Sequence, residues 1–292
     1  MKVLVITKKT LLIIAAAIIA FIAAVIVILL LVGSGAKKHD APENDTRDRN
    51  AVYTISSSSG SSLLSKEDEY ETAVLAGFKR ELPVYSVERS DKKIALTIDA
   101  AWDDDKTPFI LETLAKYNVK ATFFLCGSWV KAYPEMVKAI HESGHEIGNH
   151  SMTHPHMAKQ SPDDIKTEIS ELDGRIKEIT GESTALFRAP YGEYNDTVIR
   201  TVRSTAHEPI QWNIDTIDWK PERSSQTILD TVLPKLKDGS IILCHNNGYK
   251  IEEYLPTLIE TAQAQGYVFV TVGELLIEGE TVIDVNGVQK AK

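Results

Sequence analysis

Three histidines close the stretch 144–156, at positions 150, 154 and 156, and ionisable residues recur at wide intervals on either side of them. Imidazole nitrogens are good ligands for divalent transition metals, and two of them four residues apart can meet on one face of a helical turn. His150 and His154 have that spacing. Alone, the pair reads equally well as two structural histidines. It gains meaning from Asp99, Arg188, Asp215, Asp218 and His245, which stand at or just past the ends of short apolar runs. A base, an acid, a cation to hold a carboxylate and metal-binding imidazoles are what hydrolysis of an unreactive bond needs.

Those apolar runs are the elements that must position the chemistry. Strands are predicted at 94–99, 121–126, 146–149, 185–188, 210–213, 240–245 and 267–272, where β-branched and aromatic residues cluster. Helical patterns alternate with them. Thr107 and Pro108 read as a cap and first turn, with Ile110, Leu111 and Leu114 as a buried stripe and Asn118 as a stop. Ser161 caps the clearest helix. Pro162, Asp163 and Asp164 suit its first turn, Ile165, Ile169, Leu172, Ile176 and Ile179 recur every three or four residues, and Gly181 ends it. A further helix is predicted over 253–265, stopped by Gly266. Seven strands joined by helices imply an α/β fold with parallel strands, because parallel neighbours need crossovers. The count suits a closed or nearly closed barrel, with an open doubly wound sheet as the alternative; in both, ligands gather at the C-terminal ends of the strands.

The rest of the chain sets the context. Its 292 residues are 43% hydrophobic, enough for one large domain with appendages. Residues 1–50 carry seven basic and four acidic side chains, a local +3, so the whole-chain charge of −9 leaves −12 on residues 51–292. Such a body has no electrostatic footprint for a phosphate backbone and excludes nucleic acid as an expected partner. It is compatible with a monomer. Residues 11–32 form an unbroken apolar run of 22 residues preceded by Lys2, Lys8 and Lys9. This is expected to be a single transmembrane anchor, with 1–10 in the cytoplasm and the remainder outside. The rival reading is a signal peptide cut near Gly33–Ala36 and a secreted protein; signal cores are shorter, about 7 to 15 residues, which favours the anchor. Residues 33–83, with their serine run at 56–62, read as a flexible tether and pre-domain segment, with a helix conceivable at 66–79. Residues 279–292 read as a short polar tail. Cys126 and Cys244 lie in apolar runs and are expected to be buried thiols rather than a disulfide. His39, His141, His145 and His207 are expected in structural or solvated roles. Trp102 suits a core or a sugar-stacking position equally.

In order, Thr97-Ile98-Asp99, His150-Ser151-Met152-Thr153-His154, Arg188-Ala189-Pro190-Tyr191-Gly192, Asp215-Thr216-Ile217-Asp218-Trp219 and Leu243-Cys244-His245 resemble the five motifs of the polysaccharide deacetylases. This family is also called the NodB-homology domain or carbohydrate esterase family 4. The resemblance covers 84–278. It implies a distorted (β/α) barrel of about seven parallel strands and metal-dependent removal of acetyl groups from N-acetylated sugars in polymers. It further implies that His150 and His154 bind a divalent metal, zinc foremost, with cobalt, nickel or manganese as alternatives. Asp99 would be the general base held by Arg188. The backbone N–H of Tyr191 would stabilise the oxyanion. His245 would protonate the departing amine, tuned by Asp218, with Trp219, Tyr191 and Trp102 contacting substrate. The expected partner is a cell-wall glycan, with peptidoglycan preferred because the anchor would hold the domain at the wall.

One position departs from the pattern. The family places a second Asp directly after the base, as third metal ligand, and here that residue is Ala100. The variant resembles the branch associated with sporulation and other Gram-positive cell-wall deacetylases. Asp103, Asp104 or Asp105 from the next loop is the first expected substitute. His156 is the second, and a two-histidine site completed by water is the third. The competing expectation is a wall-binding or sporulation-structure protein that keeps the barrel without the chemistry.

Overall fold

The central strand of the molecule is buried on both faces, as a strand must be when helices cover one side and a barrel interior the other. Over Lys93–Ala100, Ile94, Leu96 and Ile98 pack into one core cluster, while Ala95 packs into a second and Thr97 and Asp99 share its face. Each fully buried aliphatic chain contributes about 1.5–3 kcal/mol. The structure, a computed structural model, describes residues 80–292. The predicted N-terminus at 1–10, the anchor at 11–32, the helix at 66–79 and all but residues 80–83 of the tether and pre-domain segment at 33–83 lie outside the described residues. Among the described residues no helix is long and apolar enough to cross a membrane.

The strands are β1 (Ser86–Val87), β2 (Lys93–Ala100), β3 (Thr122–Leu125), β4 (Glu146–Asn149), β5 (Leu186–Phe187), β6 (Glu208–Pro209), β7 (Ile214–Asp215), β8 (Ile241–His245), β9 (Val268–Val270), β10 (Thr281–Ile283) and β11 (Val288–Ala291). The main sheet runs β6-β5-β4-β3-β2-β8-β7 with every neighbouring pair parallel, and β9 joins β2 at its first residues. This curled half-barrel agrees with the distorted barrel expected from sequence. It does not close by strand pairing, since β6 and β7 are its two edges. The chain just before and within β1 runs across the opening instead. Val84 N–H donates to Pro209 O at 2.9 Å, Gln211 N–H to Val84 O at 2.7 Å, and Val87 N–H to Gly239 O at 3.0 Å.

Two expectations change here. The strand predicted at 210–213 is absent, with β6 and β7 on either side of it. Its backbone is used elsewhere: Gln211 N–H reaches Val84 and Gln211 O accepts from the Arg188 side chain at 3.1 Å. The residues 279–292, expected as a polar tail, contain β10 and β11, which pair antiparallel, and β11 pairs parallel with β1. Gln289 anchors this hairpin through its side chain, which accepts from Ile277 N–H at 2.9 Å.

The helix Pro162–Thr180 forms as predicted. Ser161 and Asp164 make a reciprocal capping box, Gly181 terminates the helix at φ 83°, and Ile165, Ile169, Leu172 and Ile176 form the buried stripe. This helix braces the histidine loop. Glu168 accepts from Thr153 N–H at 2.7 Å and from its hydroxyl at 2.6 Å, and Asn149 Nδ2 donates to Ile169 O and Asp173 Oδ1, both at 3.0 Å.

Candidate active site

The C-terminal ends of β2, β4, β5, β7 and β8 converge on one cavity of about 520 Å³, lined among others by Asp99, Trp102, His150, His154, Tyr191, Trp212, Asp215, Trp219 and His245. Its size is that of a small-molecule binding cleft. A second cavity of about 340 Å³, bordered by Arg80, Arg203 and Lys292, contains no imidazole.

At the floor, Asp99 is bound by Arg188. Nη1 of Arg188 donates to Asp99 Oδ1 at 2.6 Å and to Thr97 Oγ1 at 2.9 Å. The guanidinium is fully buried, lying 4.0 Å from the Phe124 ring centroid and 5.4 Å from that of Trp212. Burial pushes the Asp99 carboxyl up, but Arg188, followed by His150 and His245, outweighs it and holds the group below its ordinary range. Arg188 therefore has the partner that the motif implied.

Across the cavity, His245 Nδ1 donates to Asp218 Oδ1 at 2.7 Å. Asp218 Oδ2 also accepts from His245 N–H at 3.1 Å and from the Tyr254 hydroxyl at 2.7 Å. Burial would lower the imidazole, yet Asp218, with Asp99 and Asp215 beyond it, raises its pKa above the ordinary histidine value. The ring is thus a protonated acid over a wider pH range than a free histidine. Gly248 permits this packing, since a β-carbon there would collide with the Asp218 carboxylate.

His150 and His154 do meet, with ring centroids 5.0 Å apart, although no helical turn brings them together. His150 directly follows β4, and the loop then reverses through Ser151 and His154, both with φ near +60°. Nδ1 of His150 donates to Arg188 O at 2.8 Å, which leaves its Nε2 lone pair 3.7 Å from Asp99 Oδ2. Burial lowers the His150 pKa and brings that of His154 down to about 4, so both rings are neutral donors of lone pairs at neutral pH.

These two nitrogens suit a divalent ion, and the buried, unpartnered Nδ1 of His154 is consistent with one. Among the described residues no third protein ligand of the kind a catalytic zinc site has stands beside them. Ala100 packs in the core cluster with Ile98, Ile110 and Trp129. Asp103 engages through its backbone carbonyl, which accepts from Trp129 Nε1 and Asn246 Nδ2, both at 2.6 Å. His156 is separated from the pair by the Tyr191 ring, which lies against both His154 and His156. Among the described residues no group of three or more His, Cys, Asp or Glu side chains is placed to hold a metal. Asp103, Asp104, Asp105 and His156, the expected substitutes, are thus not grouped with the pair, and the donor set as placed falls short of the three-ligand site that the resemblance implies.

The rim is aromatic. Trp102, Tyr191 and Trp219 are 54%, 56% and 52% exposed, which rules out a core role for Trp102. Trp212, Tyr254 and Glu193 belong to the site or its supports without any sequence signal, because their partners come from distant segments. Cys126 and Cys244 are buried free thiols, as expected.

Comparison with known proteins decides the family. A family model described as polysaccharide deacetylase matches residues 86–210. A peptidoglycan-N-acetylglucosamine deacetylase of Bacillus cereus is 34% identical over 198 residues, which are 66% of this chain and 92% of that protein. The chain belongs to the polysaccharide deacetylase family. Another relative in this family, the peptidoglycan-N-acetylglucosamine deacetylase PgdA of Listeria monocytogenes, is 36% identical over 195 residues, 67% of this chain. The chain spans 41% of that relative's length. Among solved structures, a CE4 family pseudoenzyme from Bacillus anthracis superposes with a TM-score of 0.64 at 37% identity, covering 67% of this chain and 69% of that one. The likenesses thus include proteins named as deacetylases and one named as a pseudoenzyme.

Proposed function

We propose that this polysaccharide deacetylase domain removes N-acetyl groups from amino sugars of the cell wall, with peptidoglycan as substrate. The observation that carries this reading is the pairing of two supported groups of opposite character across one cavity: Asp99, hydrogen-bonded to Arg188, and His245, hydrogen-bonded to Asp218. Asp99 takes a proton from water as its oxygen attacks the acetamido carbon. The oxyanion so formed is met by the N–H of Tyr191. The C–N bond then breaks as His245 gives its proton to the sugar nitrogen, leaving acetate and a free amine. Trp102, Tyr191 and Trp219 offer flat apolar faces to the sugar rings.

His150 and His154 would hold a divalent ion such as zinc, whose chemistry when bound is polarisation of the acetyl carbonyl. With two protein ligands that ion would be held weakly. The apolar run at 11–32 is taken as the anchor that keeps the domain outside the membrane, next to its substrate. Mass analysis of sugar fragments from isolated wall, treated with the purified chain and zinc, tests the reading: loss of acetyl mass supports it, and unchanged fragments from a metal-loaded sample sink it.

A second reading rests on Ala100 alone. A chain lacking the third ligand could serve as a wall-binding protein that keeps the aromatic rim. Saturable binding to wall without any loss of acetyl groups would favour it.

A further inference from the structure

Tyr191 has φ 59° and ψ 7°, a left-handed conformation that a bulky side chain rarely adopts without help from its surroundings. Its ring is gripped by two imidazoles. His154 lies edge-on at 4.6 Å between centroids, and His156 is stacked at 4.7 Å with 22° between planes. His156 is itself tied down, with Nδ1 2.8 Å from Glu193 Oε2. Glu193 closes the same tight turn that carries Tyr191, donating its N–H to Pro190 O at 3.1 Å, and Gln211 Nε2 donates to Gly192 O at 3.2 Å. The contacts form a ring running from the turn through Glu193 and His156 back to the Tyr191 side chain.

We propose that His156 and Glu193 are positioning residues that clamp Tyr191 as one wall of the saccharide groove. This rests on the reading of the cavity as a glycan site. Tyr191 lines the cavity, whereas His156 and Glu193 stand outside it. Their side chains are 48% and 40% exposed, so the pair adds little to folding stability and its effect is local. A phenol ring fixed before the sugar arrives spares the complex the entropy of ordering it, and that gain appears as affinity. The clamp also accounts for a histidine that offers nothing to the His150 and His154 pair.

The test uses the full chain, a soluble N-acetylglucosamine tetrasaccharide as probe, and the fluorescence of the rim tryptophans. His156→Ala is expected to weaken binding about 5-fold, a stacking-sized effect, while His156→Phe, which keeps the stack, stays within about 2-fold of wild type. Glu193→Ala is expected to fall between them. Thermal midpoints should not change. In parallel, 3-fluorotyrosine placed at position 191 should show its fluorine resonance moving toward that of free tyrosine in His156→Ala but not in His156→Phe. Unchanged affinity and an unmoved resonance in His156→Ala overturn the clamp. A wild-type chain that binds no saccharide overturns the glycan reading instead, and the fluorine shift still decides the clamp.

Discussion

At the residue scale, Asp99 can stay charged in a buried floor because Arg188 is fixed beside it. Removing one partner of such a pair leaves an uncompensated charge, so Arg188→Leu should cost about 3–5 kcal/mol in urea unfolding; a loss under about 1 kcal/mol would contradict the geometry. The two shifted groups also set the pH profile. Asp99 must be ionised to act as base, and its depressed pKa keeps it so below the ordinary carboxylate value of about 3.9. His245 must be protonated to act as acid, and its raised pKa extends that form above about 6.5. We expect kcat/KM to fall on the acid side below 3.9 and on the alkaline side above 6.5, and His245→Gln to abolish the alkaline limb. The linked stabilities have opposite signs. The Asp99 contribution is present above its unfolded pKa and lost as pH falls through the depressed value; that of His245 is present below 6.5 and lost as pH rises through the raised one. Asp99, Arg188 and His245 were legible in sequence because each stands at the end of an apolar run. Tyr254 was not, since it reaches Asp218 from 36 residues away and no local pattern marks such a contact.

At the element scale, the histidine loop depends on β4 and on the helix Pro162–Thr180. The helix was legible to the residue, since capping box, apolar stripe and terminal glycine all agree. The loop was not. The four-residue spacing suggested a helical turn, and the rings meet through left-handed backbone at Ser151 and His154 instead, a conformation that composition does not disclose. The strand expected at 210–213 failed for a related reason, as its hydrogen bonds go to Val84 and Arg188, remote in sequence. At the entrance to β4, His145 Nδ1 accepts Ala121 N–H at 3.3 Å, which requires a neutral ring, and burial and Lys120 bring its pKa down to about 4. A histidine depressed on folding contributes stability that is complete above the unfolded value near 6.5 and lost as pH falls toward 4. The loss is about 3 kcal/mol at most. The unfolding free energy should decline across that window, with a shallower slope in His145→Gln; equal slopes in the two proteins would show that His145 is not the titrating group.

At the scale of the whole molecule, the barrel is left open between β6 and β7 and is sealed by the chain entering at residue 84, whose strand β1 holds the C-terminal hairpin. Both ends of the domain therefore support the same wall of the barrel. Truncation at residue 278 is expected to lower the thermal midpoint, and an unchanged midpoint would mean that the hairpin is ornamental. Fold class and the side on which the site lies followed from strand count and from polar residues at strand ends. The hairpin did not, because its few apolar residues are only partly buried. What we propose at this scale is that Asp99 and His245 deacetylate a wall glycan although position 100, the family's third ligand, is Ala100. Acetate released from N-acetylated peptidoglycan by the full chain with added zinc, measured beside Asp99→Asn, tests it most directly. We predict release by the wild type and a fall of about 10²- to 10⁴-fold in the variant; wild-type protein that binds the glycan yet releases no more acetate than Asp99→Asn would contradict it.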